Sequence, residues 1–143
     1  MIFADSSALV KRYVPEVGHE IVDRLPRPFL VSLLATVDVP AALWRKHRMG
    51  EIGASDAALL TQAFEDDIAA EVGSPSRLEV VALTPAIIES ARHLVAVHPL
   101  RAYDAVQLAT ALAVREAVGR QITFVSFDHN LSAAAATEGL TSR

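Results

Sequence analysis

The sequence predicts a three-layer α/β/α sandwich with a central parallel sheet of four or five strands, on three observations. Short apolar runs alternate repeatedly with longer segments of helical periodicity. The short runs are continuously apolar, as in strands covered on both faces, and not alternating as in half-exposed ones. Glycine, proline and capping residues punctuate the joins. At 143 residues the chain fits one domain, residues 1–143, with no repeat, low-complexity tract or linker to divide it.

The first strand is Met1-Ile2-Phe3-Ala4, stopped by Asp5-Ser6-Ser7, a polar triplet able to cap a helix over residues 8–14. Phe29-Leu30-Val31 is the second strand. A helix follows from the stretch 35–38 to Arg48, broken by Gly50 and Gly53. Ser55-Asp56 opens an amphipathic helix with Leu59, Leu60, Ala63, Phe64 and Ile68 at helical spacing, closed by Gly73-Ser74-Pro75. Its apolar residues Leu59, Leu60 and Phe64 are candidates for an interface. Residues 78–83 form the third strand, and Thr84-Pro85 supplies an N-cap with proline at the first helical position for a helix to Val97. An alanine-rich helix spans 102–117 and ends at Gly119. Residues 122–125 are the fourth strand, 130–137 the last helix, and 139–141 a short edge strand.

Composition removes several function classes. There is no cysteine, which excludes disulfides, Cys-ligated zinc, iron–sulfur clusters and thiol catalysis. No apolar run reaches the ~18–20 residues of a membrane span, despite a mean hydropathy of +0.32. No secretory leader pattern opens the chain, because Asp5 interrupts the first apolar stretch, and the expected location is the cytoplasm. A net charge of -4 is not the basic footprint of a general nucleic-acid binder, so contact with RNA would have to be local.

In open parallel sheets, ligands bind beyond the carboxyl ends of the strands, where strand order reverses. That edge carries Asp5 after the first strand, Asp38 after the second and Asp128 after the fourth. Asp104 stands near the start of a mostly apolar helix, with no Lys or Arg at i+3 or i+4, so its partner must come from elsewhere. Converging carboxylates repel one another unless a divalent cation lies among them. An oxygen-only donor set selects Mg²⁺ or Mn²⁺, the ions of phosphodiester chemistry. Each acid also has a structural reading: Asp5, Asp38 and Asp128 all sit where helix N-caps belong, and capping by Asp38 would leave Pro40 in the first turn. Glu16, Glu20 and Glu65-Asp66-Asp67 fit a solvated face.

With these residues in view, four segments in order resemble the PIN-domain ribonucleases. Phe3-Ala4-Asp5-Ser6-Ser7-Ala8-Leu9-Val10-Lys11 is similar to the opening motif, Ser32-Leu33-Leu34-Ala35-Thr36-Val37-Asp38-Val39-Pro40-Ala41-Ala42-Leu43 to the second, Arg101-Ala102-Tyr103-Asp104-Ala105-Val106-Gln107-Leu108-Ala109 to the third, and Val125-Ser126-Phe127-Asp128 to the fourth. The resemblance implies a PIN-like fold and a metal-dependent ribonuclease, with Asp5, Asp104 and Asp128 as metal-binding and, together with Asp38, catalytic acids. It further implies a homodimer and, in the toxin branch of VapBC pairs, a cognate VapB-type antitoxin that occludes the active site. Asp38 departs from the family's usual Glu and is one methylene shorter, which suits a water-bridged contact to the ion.

Ser6 and Ser126 adjoin the acids and are candidates to orient them by hydrogen bonding, although serine at a strand end is also an ordinary turn residue. Lys11 and Arg12 follow the first acid by about two helical turns and are candidates for RNA phosphates. Arg45-Lys46-His47-Arg48 is the one basic run, equally favoured by the helix dipole. Five histidines show no metal-ligand spacing, and only His129 adjoins one of the four candidate site acids. Two competing functions remain: an aspartate-phosphorylating protein, for which Asp5-Ser6-Ser7 lacks the second acid of an Asp-x-Asp motif, and a catalytically weak binding module whose acids cap helices.

Overall fold

The computed structural model describes residues 1–143. Its elements in order are β1 (Ile2–Ala4), α1 (Ser6–Tyr13), α2 (His19–Asp23), β2 (Phe29–Ser32), α3 (Ala35–Arg48), α4 (Ala54–Ala69), β3 (Leu78–Val81), α5 (Pro85–Val97), α6 (Ala102–Val118), β4 (Thr123–Val125), α7 (His129–Thr137) and β5 (Thr141–Ser142). The five strands form one parallel sheet in the order β3-β2-β1-β4-β5. The anticipated α/β/α sandwich is therefore what the chain forms; the edge strand is Thr141–Ser142 and not 139–141, because the chain still turns at Gly139, with φ +80°.

Side chains along a strand point alternately to opposite faces, and here they divide two cores. Ile2, Ala4, Phe29, Val31 and Val125 pack with Leu9, Val39, Leu43 and Phe64 of α1, α3 and α4. Phe3, Leu30 and Phe124 face the other way, onto Ile87, Leu94, Leu108 and Leu131 of α5, α6 and α7. Phe3 and Phe124 stack at 5.8 Å across adjacent strands and are completely buried, each burial contributing roughly 1.5–3 kcal/mol. Strands buried on both faces are why their sequences are continuously apolar.

Three local expectations are corrected. The helix α2 was not anticipated; it is five residues long and follows Gly18, whose φ of +94° suits glycine and whose Cα faces the Phe127 ring so closely that a Cβ would lie 2.5 Å from Cε1. Asp38 does not cap α3. That helix begins at Ala35 after Leu34, so Asp38 lies inside its first turn and Pro40 lies within the helix. Of the proposed interface residues on α4, Phe64 is fully buried with Tyr13 edge-on to it, and Leu60 packs on the core. Leu59 alone of the three is exposed. No helix is long and apolar enough to cross a membrane.

Candidate active site

The chain leaves β1 in one direction through β2 and β3 and returns to β4 on the other side, so strand order reverses beside β1. At the carboxyl ends of β1 and β4 lies a cleft of about 670 Å³ lined by Asp5, Asp38, Asp104 and Asp128. Four acids separated by up to 123 positions in sequence therefore share one wall-to-wall space, as the switch-point rule anticipates.

Asp5 forms the floor. It is the N-cap of α1, with Oδ1 accepting the Ala8 N–H at 2.9 Å. The Ser7 hydroxyl lies 2.8 Å from Oδ1 and 2.9 Å from Oδ2, and the Ser126 hydroxyl donates to Oδ2 at 2.8 Å. Only 3% of its surface remains exposed. Burial pushes its pKa up to about 6 against the opposing hydrogen bonds from Ala8, Ser7 and Ser126, and the neighbouring charge of Asp104 adds to the rise. Capping and lining the cleft are thus not alternatives for Asp5, because one carboxylate does both. Asp128 repeats the pattern at α7, where Oδ1 accepts the Leu131 N–H at 2.8 Å.

Asp104 is only half-buried, and its partner is three residues back. Arg101 Nε donates to Asp104 Oδ2 at 2.8 Å, and Arg101 Nη2 lies 3.6 Å from Asp128 Oδ2. Looking forward along the helix, to i+3 and i+4, misses this arginine. Asp38 projects into the same cleft from α3.

The two candidate serines part company. Ser126 holds Asp5 while its oxygen accepts the Asp128 N–H at 3.0 Å, joining two of the acids. Ser6 touches no acid; its oxygen accepts Gln107 Nε2 at 2.7 Å, and the orienting role passes to Ser7, whose oxygen also accepts the Phe127 N–H at 2.8 Å. Helix geometry explains the exchange, since a side chain two residues into the helix folds back over the cap and one at the first position does not.

The two candidate cations also separate. Lys11 lines the cleft, its Nζ bonded to Glu16 at 2.9 Å and 4.7 Å from the Phe127 ring centre. Arg12 does not. Its guanidinium is nearly buried on the far side of α1, bonded to Asp67 at 2.7 Å and to the Ser76 carbonyl at 2.8 Å. One residue along a helix turns the side chain by about 100°, enough to move it from cleft to core. From the basic run, Arg45 and Lys46 reach the cleft, while His47 and Arg48 do not line it; nor does His129, which is exposed at the start of α7. Glu16 is not a solvated bystander: it bridges Lys11 and Lys46, the latter at 2.6 Å.

The donor set fits a hard divalent ion: the acids facing the cleft offer only oxygen, and the buried Gln107 adds an Oε1 with no hydrogen-bond partner. As the side chains stand, no three carboxylate or imidazole groups converge on a single point.

No protein-family model matches the chain. Over 117 residues, however, it is 35% identical to two Mycobacterium tuberculosis proteins, ribonuclease VapC45 of strain CDC 1551 and ribonuclease VapC49 of strain H37Rv, covering 80% of this chain and 76% of each relative. The chain belongs to the VapC ribonuclease family. Its PIN-like fold is shared with M. tuberculosis VapC20, described as a sarcin-ricin loop cleaving toxin, at TM-score 0.67 and 20% identity over 94% of this chain and 95% of that one. It is shared also with a toxin–antitoxin complex from Klebsiella pneumoniae, at TM-score 0.60 and 15% identity over 92% and 91%. PAE2754 from Pyrobaculum aerophilum gives TM-score 0.62 at 19% identity over 99% and 82%.

In this VapC-family chain, Ser7, Arg101 and Gln107 are among the cleft residues to which the motifs alone assign no role. Each had a signal. Ser7 is at the second helical position after an Asp cap, Arg101 is one turn before Asp104, and Gln107 is one turn after it on an otherwise apolar helix face.

Proposed function

We propose that this protein is a Mg²⁺- or Mn²⁺-dependent RNA endonuclease, the toxin of a type II toxin–antitoxin pair, acting in the cytoplasm. The reading is carried by one observation: in a chain of the VapC family, Asp5, Asp38, Asp104 and Asp128 line a single cleft at the switch point of the sheet. Asp5, Asp104 and Asp128 would hold the ion, with Asp38 reaching it through water. When bound, such an ion lowers the pKa of water and stabilises charge building on a phosphodiester.

The chain's own groups supply the rest. Ser126 and Ser7 fix the Asp5 carboxylate, and Ser126 also fixes the backbone of Asp128, so two acids are held before any ligand arrives. Arg45, together with Lys11 and Lys46 once they exchange their Glu16 partner, would be the cleft cations that meet RNA phosphates in a chain that is acidic overall. A VapB-type antitoxin would act by covering this cleft, and the homodimer that the family resemblance implies would use exposed apolar residues such as Leu59. The experiment is cleavage of structured RNA by the purified protein with Mn²⁺, with EDTA, and with an equimolar antitoxin encoded beside it. Cleavage only in the first condition supports the reading; cleavage that persists in EDTA contradicts it.

A further inference from the structure

Arg101 is the residue before α6, and its side chain is 75% exposed. The guanidinium nevertheless folds over the acid cleft, with Nε 2.8 Å from Asp104 Oδ2 and Nη2 3.6 Å from Asp128 Oδ2. One cation therefore touches two of the four acids. Asp5 has no cation beside it and instead accepts hydrogen bonds from Ala8, Ser7 and Ser126. While Asp104 and Asp128 face Arg101, no three carboxylates converge.

Exposed ion pairs of this kind are weak and readily exchanged, and a doubly charged ion outcompetes a single delocalised charge for the same oxygens. We infer that Arg101 is the resident counter-ion of the acid cleft, which releases Asp104 and Asp128 when a divalent cation enters and then offers its freed guanidinium to a substrate phosphate. The planar fork of donors suits phosphate as well as it suits carboxylate. Arg101 thus has two partners in succession, the acids and then the phosphate, and the inference rests on the reading of the cleft as a divalent-ion site.

Mn²⁺ titration of the full chain by calorimetry tests it, comparing wild type with Arg101→Gln, Arg45→Gln and Asp104→Asn at one ionic strength. Removing Arg101 is expected to tighten Mn²⁺ about three- to tenfold. Arg45→Gln removes the same charge from the same cleft without touching Asp104 and is expected to tighten it by no more than about twofold. At saturating Mn²⁺, Arg101→Gln is expected to raise KM for RNA more than it lowers kcat. Equal tightening by both arginine substitutions, no tightening by Arg101→Gln, or an unchanged KM would overturn the inference. If Asp104→Asn weakens Mn²⁺ binding in the same series, the ion-site reading survives that failure; if no variant binds Mn²⁺ at all, both fall together.

Discussion

Ser126 donates its hydroxyl to Asp5 Oδ2 at 2.8 Å across 121 positions of sequence, tying the end of β4 to the end of β1 at the point where strand order reverses. The same oxygen receives the Asp128 N–H, so a single serine sets the spacing of two acids. Ser126→Ala leaves Asp5 with one fewer donor. The Asp5 pKa should rise beyond its already elevated value near 6, and stability should fall by about 1–2 kcal/mol. Carboxyl titration by NMR and denaturant unfolding check the two effects together.

Asp5→Asn gives a pH-dependent stability. The carboxyl's folded pKa of about 6 lies above its ordinary 3.8, so the folded state holds the proton more tightly than the unfolded one. Stability from this group is complete below pH ~4 and is lost as pH rises through about 6. Asparagine keeps a good cap and carries no charge to bury. In EDTA, the variant should exceed wild type by about 1–3 kcal/mol at pH 8, at about 1.4 kcal/mol per pKa unit, and the gain should vanish near pH 4. Urea unfolding at both pH values measures it; a gain that does not change with pH would contradict the burial account.

Asp38→Glu separates the departure from the family pattern from a structural role. Asp38 caps nothing, since α3 starts three residues earlier. The longer carboxylate should therefore change stability by less than about 0.5 kcal/mol while tightening Mn²⁺. Paired metal and urea titrations read both quantities, and a large stability loss with unaltered Mn²⁺ binding would remove Asp38 from the site.

The fold was legible because its signals are local and repeated: Thr84-Pro85 starts α5 and Gly119, at φ +64°, ends α6 as anticipated. The acids were legible because each follows a strand or opens a helix. What could not be read was rotation about an axis. Ser6 against Ser7, and Lys11 against Arg12, differ by one residue in sequence but face different partners. Nor does α2 have a signature, being a five-residue turn of helix held by Gly18 against Phe127. Arg101 lay in plain sight one turn before Asp104, on the side of that residue where a forward scan does not look.

A four-acid cleft that cleaves RNA with a divalent ion needs each of its ion-holding carboxylates. Initial cleavage rates at saturating Mn²⁺ for Asp5→Asn, Asp104→Asn and Asp128→Asn, each shown folded by circular dichroism, decide whether it does. The expected result is a loss of at least about 100-fold in each, with Asp38→Asn reduced less. Folded Asp5→Asn or Asp104→Asn protein that cuts RNA at the wild-type rate would contradict it.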